Sequence, residues 1–411
     1  MLSLNPPKST SSVHDIGADA PPFGSRLHPP FRYDDVWSKS AWDHVPPPDD
    51  QKDRIEASLA RQHSVPVPDD EKRMYPGLCP WNKYNDTPAR FWNKFYANNS
   101  ANFFKDRKWL HLEFPELLRA ADPNAGPMVV LEVGCGAGNA VFPLLSTNKN
   151  PDLRLFACDY SSQAIKVVQS NLLYTSPPIG SISASVWDLA SPPSSPLPDG
   201  LAEGSVDIVV LIFVLSALHP NEWDNALSNA HRILKPGGQV LFRDYGRYDL
   251  TQLRFKERRL LEENLYIRGD GTRVYFFELD ELAILFTGSS APPSRVRNVE
   301  STSVSSGDAT PRGEDDLPDA PTAAEVSMIS SVHTDTVHED ATLESPSTIS
   351  HAAPSPAQPL EPSIRRTTTL AHPLFSVEQL GVDRRLLVNR KRQLKMYRVW
   401  MQAKFRKVPG S

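Results

Sequence analysis

The chain has 411 residues and a net charge of -5, and its 39 prolines fall in clusters. That distribution excludes dense packing along the whole length and implies one folded domain with unpacked flanks. Charge is uneven: residues 381–411 carry ten Lys or Arg against the single acid Asp383, which points to a polyanion met by only part of the surface.

Residues 1 to about 75 are rich in Pro, Asp and Ser, with aromatic islands at Phe31-Arg-Tyr33, Trp37 and Trp42. The composition predicts an extended, largely disordered arm (1–75) pinned by its aromatics to a partner or to the core. Residues 76–125 read as an aromatic and basic cap that also binds the polyanion. There, residues 87–118 interleave Phe91, Trp92, Phe95, Tyr96, Phe103, Phe104, Trp109 and Phe114 with Lys94, Lys105, Arg107 and Lys108. Helix, loop and helix over the mouth of a site fit that pattern. From 126 to 288 strands and helices alternate, the mark of a mainly parallel sheet covered on both faces. Strands are predicted at 129–133, 153–158, 182–186, 239–242 and the apolar run 206–215, with helices at 139–145, 161–171 and 223–234. Residues 289–372 hold Ser, Thr, Pro, Ala and acids with no Phe, Trp or Tyr, so they cannot repay their ordering entropy and read as a disordered insertion. Pattern returns over 373–411, where 375–380, 384–389 and 396–405 read as two closing strands of the same core with a basic end. A long insertion at a surface turn costs little extra loop entropy.

Residues 131–139 read Leu-Glu-Val-Gly-Cys-Gly-Ala-Gly-Asn. Gly134, Gly136 and Gly138 let a buried strand turn sharply into a helix and let the backbone approach a ligand closely. The spacing is G-x-G-x-G rather than the dinucleotide pattern, and Glu132 ahead of it would repel a pyrophosphate yet suits a sulfonium bearing an amino group. S-adenosylmethionine is the cofactor this favours, against the alternative of an ordinary glycine turn. Asp159, about 20 residues on at a strand end, is placed to accept from ribose hydroxyls. Asp188 can bind the adenine amino group while Leu189 packs on the ring; helix capping is the plain alternative for either acid. Ile212, in the central strand, faces the adenosine or simply packs the core. Trp92 and Tyr96 lie four apart on one helix face and can stack over a sulfonium, although core packing and base stacking fit the same spacing. The Asp/Asn-Pro-Pro-Tyr motif of many amino-nitrogen methyltransferases is missing after the central strand, where Phe213-Val-Leu-Ser-Ala-Leu-His219-Pro220 stands. An exocyclic amine is therefore a poor candidate acceptor.

Cys79, Cys135 and Cys158 lack metal-ligand spacing and offer at most one disulfide, which fits a reducing compartment and no metal. No run approaches the ~18 apolar residues of a membrane span, and residues 1–15 lack a targeting pattern. A soluble cytoplasmic or nuclear protein is expected.

Several stretches resemble the eukaryotic tRNA 3-methylcytidine methyltransferases. They are Phe91-Trp-Asn-Lys-Phe-Tyr96, Asn102-Phe-Phe-Lys-Asp-Arg-Lys-Trp109, the glycine loop, Leu241-Phe-Arg-Asp-Tyr-Gly246, Asp270-Gly-Thr-Arg273, Arg384-Arg-Leu-Leu-Val-Asn-Arg390 and Met396-Tyr-Arg-Val-Trp400. The likeness runs from about 88 to 288 and resumes from 375 to 407. It implies a Rossmann-like class I fold with a seven-stranded sheet, S-adenosylmethionine bound by Trp92, Tyr96, Gly134, Asp159, Asp188, Leu189 and Ile212, and cytidine at anticodon-loop position 32 as acceptor. Phe23-Gly-Ser-Arg26 and Ala41-Trp-Asp-His-Val45 resemble the arm of the branch acting on threonine tRNAs. Neutral cytosine N3 carries a free lone pair, so positioning matters more than a strong base. Asp244 and Asp106 are the candidates to stabilise the cationic product. Lys105, Arg107, Arg243 and Arg273 are expected at phosphates, with Arg390, Lys391, Arg392, Lys395 and Arg398 extending the footprint. Alternatives remain open: a small-molecule or protein methyltransferase, or a catalytically silent RNA-binding subunit. An aminoacyl-tRNA synthetase or another tRNA-binding accessory protein is an open partner.

Overall fold

The computed structural model describes residues 36–38, 41–43, 45, 51–72, 82–107, 109–290, 370–391 and 393–409. The expectations for the rest of the arm, for Cys79, Lys108 and Arg392, and for most of the insertion lie outside the described residues.

Eleven strands are formed among the described residues: β1 (Ala41–Asp43), β2 (Met128–Val133), β3 (Leu153–Asp159), β4 (Ser181–Val186), β5 (Val206–Ile212), β6 (Leu234–Tyr245), β7 (Leu260–Glu262), β8 (Leu265–Ile267), β9 (Arg273–Tyr275), β10 (Phe375–Asn389) and β11 (Leu394–Lys407). One sheet runs β1-β10-β11-β6-β5-β2-β3-β4, and β7-β8-β9 form a small second sheet. β4, β3, β2, β5 and β6 are parallel, while β11, β10 and β1 continue antiparallel. The predicted Rossmann-like α/β architecture is present. Apolar clusters cover both faces of the sheet, so β2, β3, β5 and the second half of β6 are buried, while the edge strand β4 stays partly exposed. The strand order reverses between β2 and β5, and it is in the crevice at that reversal that open sheets bind ligands.

The sheet has eight strands instead of the seven expected, because the arm supplies β1. Its pairing (Ala41 opposite Leu387) is anchored by Trp42, which packs with Val36, Val45, Leu386 and Val388 and donates its indole N–H to the Val36 carbonyl at 2.9 Å. The arm also carries a helix, Lys52–Ser64, where an extended chain was expected. Its Leu59 is buried, and Gln62 donates to the carbonyls of Gln252 and Phe255 and accepts from the Tyr266 hydroxyl at 2.9 Å, so docking onto the Leu250–Leu253 turn of helix and onto β8 holds it. The central strand stops at Ile212, short of the apolar run's end. Phe213 takes φ +60° there and Leu215–Ala217 form a 3-10 turn, although each side chain there suits a strand.

Candidate functional site

Beyond the carboxyl ends of β2, β3 and β5 lies a cavity of about 500 Å³. Its floor is the glycine loop. Gly136 has φ +55°, and a Cβ there would stand 2.2 Å from the Tyr96 hydroxyl, so the tyrosine closes directly over bare backbone. Tyr96 stands on helix Pro88–Asn99, where Trp92 stacks on it at 6.0 Å and Phe95 meets it edge-on at 5.1 Å. Asn93 fastens this helix down by accepting from the Ser161 hydroxyl at 2.9 Å and the Gln163 amide at 3.3 Å.

Asp159 ends β3 and is 6% exposed. One oxygen accepts from the Gly136 amide at 3.0 Å and the other from Ser161 at 2.8 Å, each keeping a lone pair toward the cavity. Burial outweighs those bonds and pushes its carboxyl up to about 6. Asp188 is exposed and holds the turn after β4 through the Ala190 amide at 2.9 Å, beside buried Leu189. Trp92, Tyr96, Gly134, Gly136, Asp159, Asp188, Leu189 and Ile212 all line the one cavity.

The far half of the cavity has aromatic walls and a basic rim. Phe213 and Tyr245 lie 4.8 Å apart, and the Arg268 guanidinium sits over the Tyr245 ring at 5.6 Å. Lys105, Arg254, Lys256 and Arg259 stand around them.

Residues 131–240 match a methyltransferase domain family. The tRNA(Thr) (cytosine(32)-N(3))-methyltransferase of Saccharomyces cerevisiae is 39% identical over 97% of this chain, which spans only 48% of that longer protein. A tRNA N(3)-methylcytidine methyltransferase of Schizosaccharomyces pombe is 37% identical over 97% of both chains, and a tRNA N(3)-cytidine methyltransferase of Danio rerio is 34% identical over 98% of this chain and 95% of its own. The chain belongs to the tRNA N(3)-methylcytidine methyltransferase family.

A class I methyltransferase of this family uses S-adenosylmethionine, and the residues present fit that group. The near half joins stacked aromatics and apolar Ile212 and Leu189 to two carboxylates. The Tyr160 hydroxyl, buried in the same wall, has no hydrogen-bond partner among the described residues. Gly138 alone of the predicted cofactor residues does not line the cavity. Its amide donates to the Cys135 carbonyl at 2.8 Å and closes the loop.

Several predicted roles are corrected by where the methyltransferase places the side chains. Arg243, expected at a phosphate, is 1% exposed: it pairs with Asp383 at 2.6 Å, donates to Gln402 and lies between Trp109 and Trp400 at 4.9 and 4.6 Å. Arg273 is 2% exposed and spent on Glu222 at 2.9 Å and the Ala217 carbonyl at 3.2 Å. Arg107 lines the cavity but turns its guanidinium to Glu132 at 3.4 Å. Glu132 also accepts from the Val141 amide at 3.0 Å, so it braces the glycine loop from below and does not reach the cavity; burial pushes it up to about 7. Asp244 is fully buried, accepting from the amides of Ser216 at 3.0 Å and Tyr245 at 2.9 Å, and Asp106 faces solvent while accepting from Asn139 at 3.3 Å. Neither acid lines the cavity. Arg398 lines it but is held by Asp249 at 2.9 Å. β11 pairs with β6 only from Trp400 onward, so its first residues and the turn bearing Arg390 and Lys391 project past Tyr245 on the cavity's side, with Lys395 exposed.

Sequence reasoning passed over Asn139, which donates to the Phe104 carbonyl at 3.2 Å as well as to Asp106 and so straps residues 103–107 over the glycine loop. It also missed the basic run from Arg254 to Arg259, legible as Arg-Phe-Lys-Glu-Arg-Arg. Among the described residues no cluster of His, Cys, Asp or Glu could hold a metal ion, and no helix is long and apolar enough to cross a membrane.

Proposed function

We propose that this enzyme transfers the methyl group of S-adenosylmethionine to N3 of cytidine 32 in the anticodon loop of threonine-accepting tRNAs. The observation that carries the reading is the likeness to the S. pombe enzyme over 97% of both chains, with position 32 and threonine tRNA taken from the S. cerevisiae relative, joined to a cavity that suits the two reactants.

S-adenosylmethionine supplies an electrophilic methyl on a sulfonium. This chain's residues do the rest by positioning. Trp92, Tyr96, Asp159, Asp188, Leu189 and Ile212 hold the cofactor in the near half, and Phe213 and Tyr245 offer aromatic faces to a splayed-out base in the far half. Neutral cytosine needs no base to unmask N3, which is consistent with the absence of His from the cavity lining. Lys105, Arg254, Lys256 and Arg259 meet the phosphates on either side of the target nucleotide. Arg390, Lys391 and Lys395 extend the basic surface from the projecting turn. We place the enzyme where tRNA is matured, in the cytoplasm or nucleus, with an aminoacyl-tRNA synthetase or similar tRNA-binding protein as an accessory that raises its rate.

The test is incubation of purified protein with labelled S-adenosylmethionine and total tRNA from a strain lacking the gene, followed by digestion to nucleosides. Label in 3-methylcytidine is expected, stimulated by threonyl-tRNA synthetase if that is the accessory. Label in another nucleoside, or none with cofactor binding intact by calorimetry, overturns the assignment.

A further inference from the structure

The cationic product base calls for an acceptor in the far half of the cavity, and both acids expected there point elsewhere. Three aspartates line the cavity: Asp159 and Asp188 lie with the glycine loop and β4, and Asp270 follows two residues after Arg268, whose guanidinium sits over the Tyr245 ring at 5.6 Å. Asp270 begins the Asp270-Gly-Thr-Arg273 stretch, whose Arg273 is spent on Glu222 and the Ala217 carbonyl.

The turn that carries it is rigid. Its Oδ1 accepts from the Thr272 amide at 2.9 Å and the Thr272 hydroxyl at 2.7 Å, while Arg268 and Gly271 exchange turn bonds of 2.8 and 3.0 Å with Thr272 and Arg268. Gly271, at φ +84°, lies flat against Phe91, whose ring would stand 2.3 Å from any Cβ there. The turn thus rests on the same helix that carries Trp92 and Tyr96, one residue beyond Phe91 and onward. Oδ2 accepts no hydrogen bond among the described residues. Asp270 therefore brings a carboxylate anchored through Oδ1 to a cavity wall shared with Arg254, Arg259 and Arg268.

We propose that Asp270 is the specificity-determining residue for cytosine, its free oxygen accepting a hydrogen bond from the exocyclic amino group next to N3. This rests on the assignment of cytidine as acceptor. Carboxylates read that amino group in base recognition generally. The same contact strengthens as the methyl is transferred, because positive charge arriving at N3 spreads onto the amino nitrogen and makes its N–H a stronger donor. Uracil, with a carbonyl at that position and a proton on N3, would present an acceptor to an acceptor.

The experiment removes the partner on each side in turn. Wild type, Asp270→Ala and Asp270→Asn are assayed on tRNA carrying cytidine at the target position and on tRNA carrying the pyrimidin-2-one riboside, which lacks the amino group and keeps the N3 lone pair. For wild type kcat/KM should fall by about 10- to 100-fold on losing the amino group. In Asp270→Ala the ratio between the two substrates should shrink by about tenfold toward the intrinsic difference in N3 reactivity between the two bases, a change that a merely structural role would not produce. Asp270→Asn keeps the shape and the Thr272 bonds, and carries the comparison should the alanine variant fail to fold. Equal wild-type rates on the two substrates, or unchanged discrimination in a folded variant, would overturn the proposal. Wild type inactive on the cytidine tRNA would instead remove the assignment on which it rests.

Discussion

Gly136→Ala tests whether Tyr96 closes onto the cofactor loop. The new methyl would stand 2.2 Å from the tyrosine hydroxyl oxygen and 3.1 Å from its Cζ, with the backbone at φ +55°. Holding an L-alanine in that left-handed conformation costs about 1–2 kcal/mol. Forcing the methyl against a ring that is 5% exposed and wedged between Trp92 and Phe95 costs about 1–3 kcal/mol more. We predict that helix Pro88–Asn99 retreats to relieve the clash in the free variant, so that the clash is felt on closing over the cofactor. The backbone cost is carried with or without cofactor and cancels, so only the clash of about 1–3 kcal/mol weakens binding; at about 1.4 kcal/mol per tenfold, affinity for S-adenosylmethionine should fall by about 5-fold to 140-fold in titration calorimetry. Gly126→Ala is the control: its φ is +71° and nothing lies within 4 Å of the added methyl, so it carries the conformational cost alone and should bind as wild type does. Tyr96→Phe in the Gly136→Ala background deletes the nearest atom and should recover part of the loss. Gly136→Ala binding as tightly as Gly126→Ala would refute the closed contact.

Arg243→Ala should cost about 2–4 kcal/mol in urea unfolding, because it empties the space between Trp109 and Trp400 and takes one of two guanidinium partners from buried Asp383, which keeps Arg385 at 3.0 Å, while the salt dependence of tRNA binding stays as in wild type. Lys256→Ala and Arg259→Ala should do the reverse, lowering the slope of log affinity against log salt by about one each with little change in the unfolding midpoint. Asp159 at about 6 and Glu132 at about 7 are both raised above the ordinary carboxylate range, so the folded state holds their protons more tightly than the unfolded chain does. Their contribution to stability is full below the ordinary range and is lost as pH rises through about 6 and about 7. Cofactor affinity should move the other way, falling by up to about tenfold per unit as pH drops below about 6 if ionised Asp159 accepts from the ribose; calorimetry between pH 5 and 8 decides it. Asn139→Ala should lower kcat/KM for tRNA by about tenfold through two lost strap bonds, with cofactor affinity moved less than threefold.

The parallel core was legible because its strands are uniformly apolar and its helices periodic, and the acids Asp159 and Asp188 fall where strand ends must lie. What escaped was set by partners distant in sequence. Nothing local to Arg243 separates a phosphate ligand from a guanidinium stacked between two tryptophans, one of them 157 residues away at Trp400. Asp244 looks free in the Phe-Arg-Asp-Tyr-Gly stretch, yet the Ser216 amide in the turn after β5 takes one of its oxygens and the neighbouring Tyr245 amide the other. Glu132 was read correctly as part of the loop and wrongly as facing the ligand, since period-two alternation alone does not say which side of β2 holds the cavity. The arm's helix was masked by a composition that looks disordered; one buried leucine and one glutamine capping two carbonyls suffice to dock it.

These corrections share a direction: charges expected at the substrate turn out to hold the machinery that faces it. Glu132 and Arg107 join the underside of the glycine loop to the strap over it, Asn139 ties the same strap from its other end, and Arg107 also reaches the Phe213 ring at 5.9 Å. The cofactor loop and the acceptor wall are thus braced by one set of residues. Phe213 needs that brace, since its left-handed backbone costs about 1–3 kcal/mol and persists only where the surroundings fix it. Here the Arg243 carbonyl fixes it by accepting the Phe213 amide at 2.8 Å. The backbone of Arg243 thus helps hold Phe213 at the cavity wall, while its side chain is spent on Asp383 and Gln402.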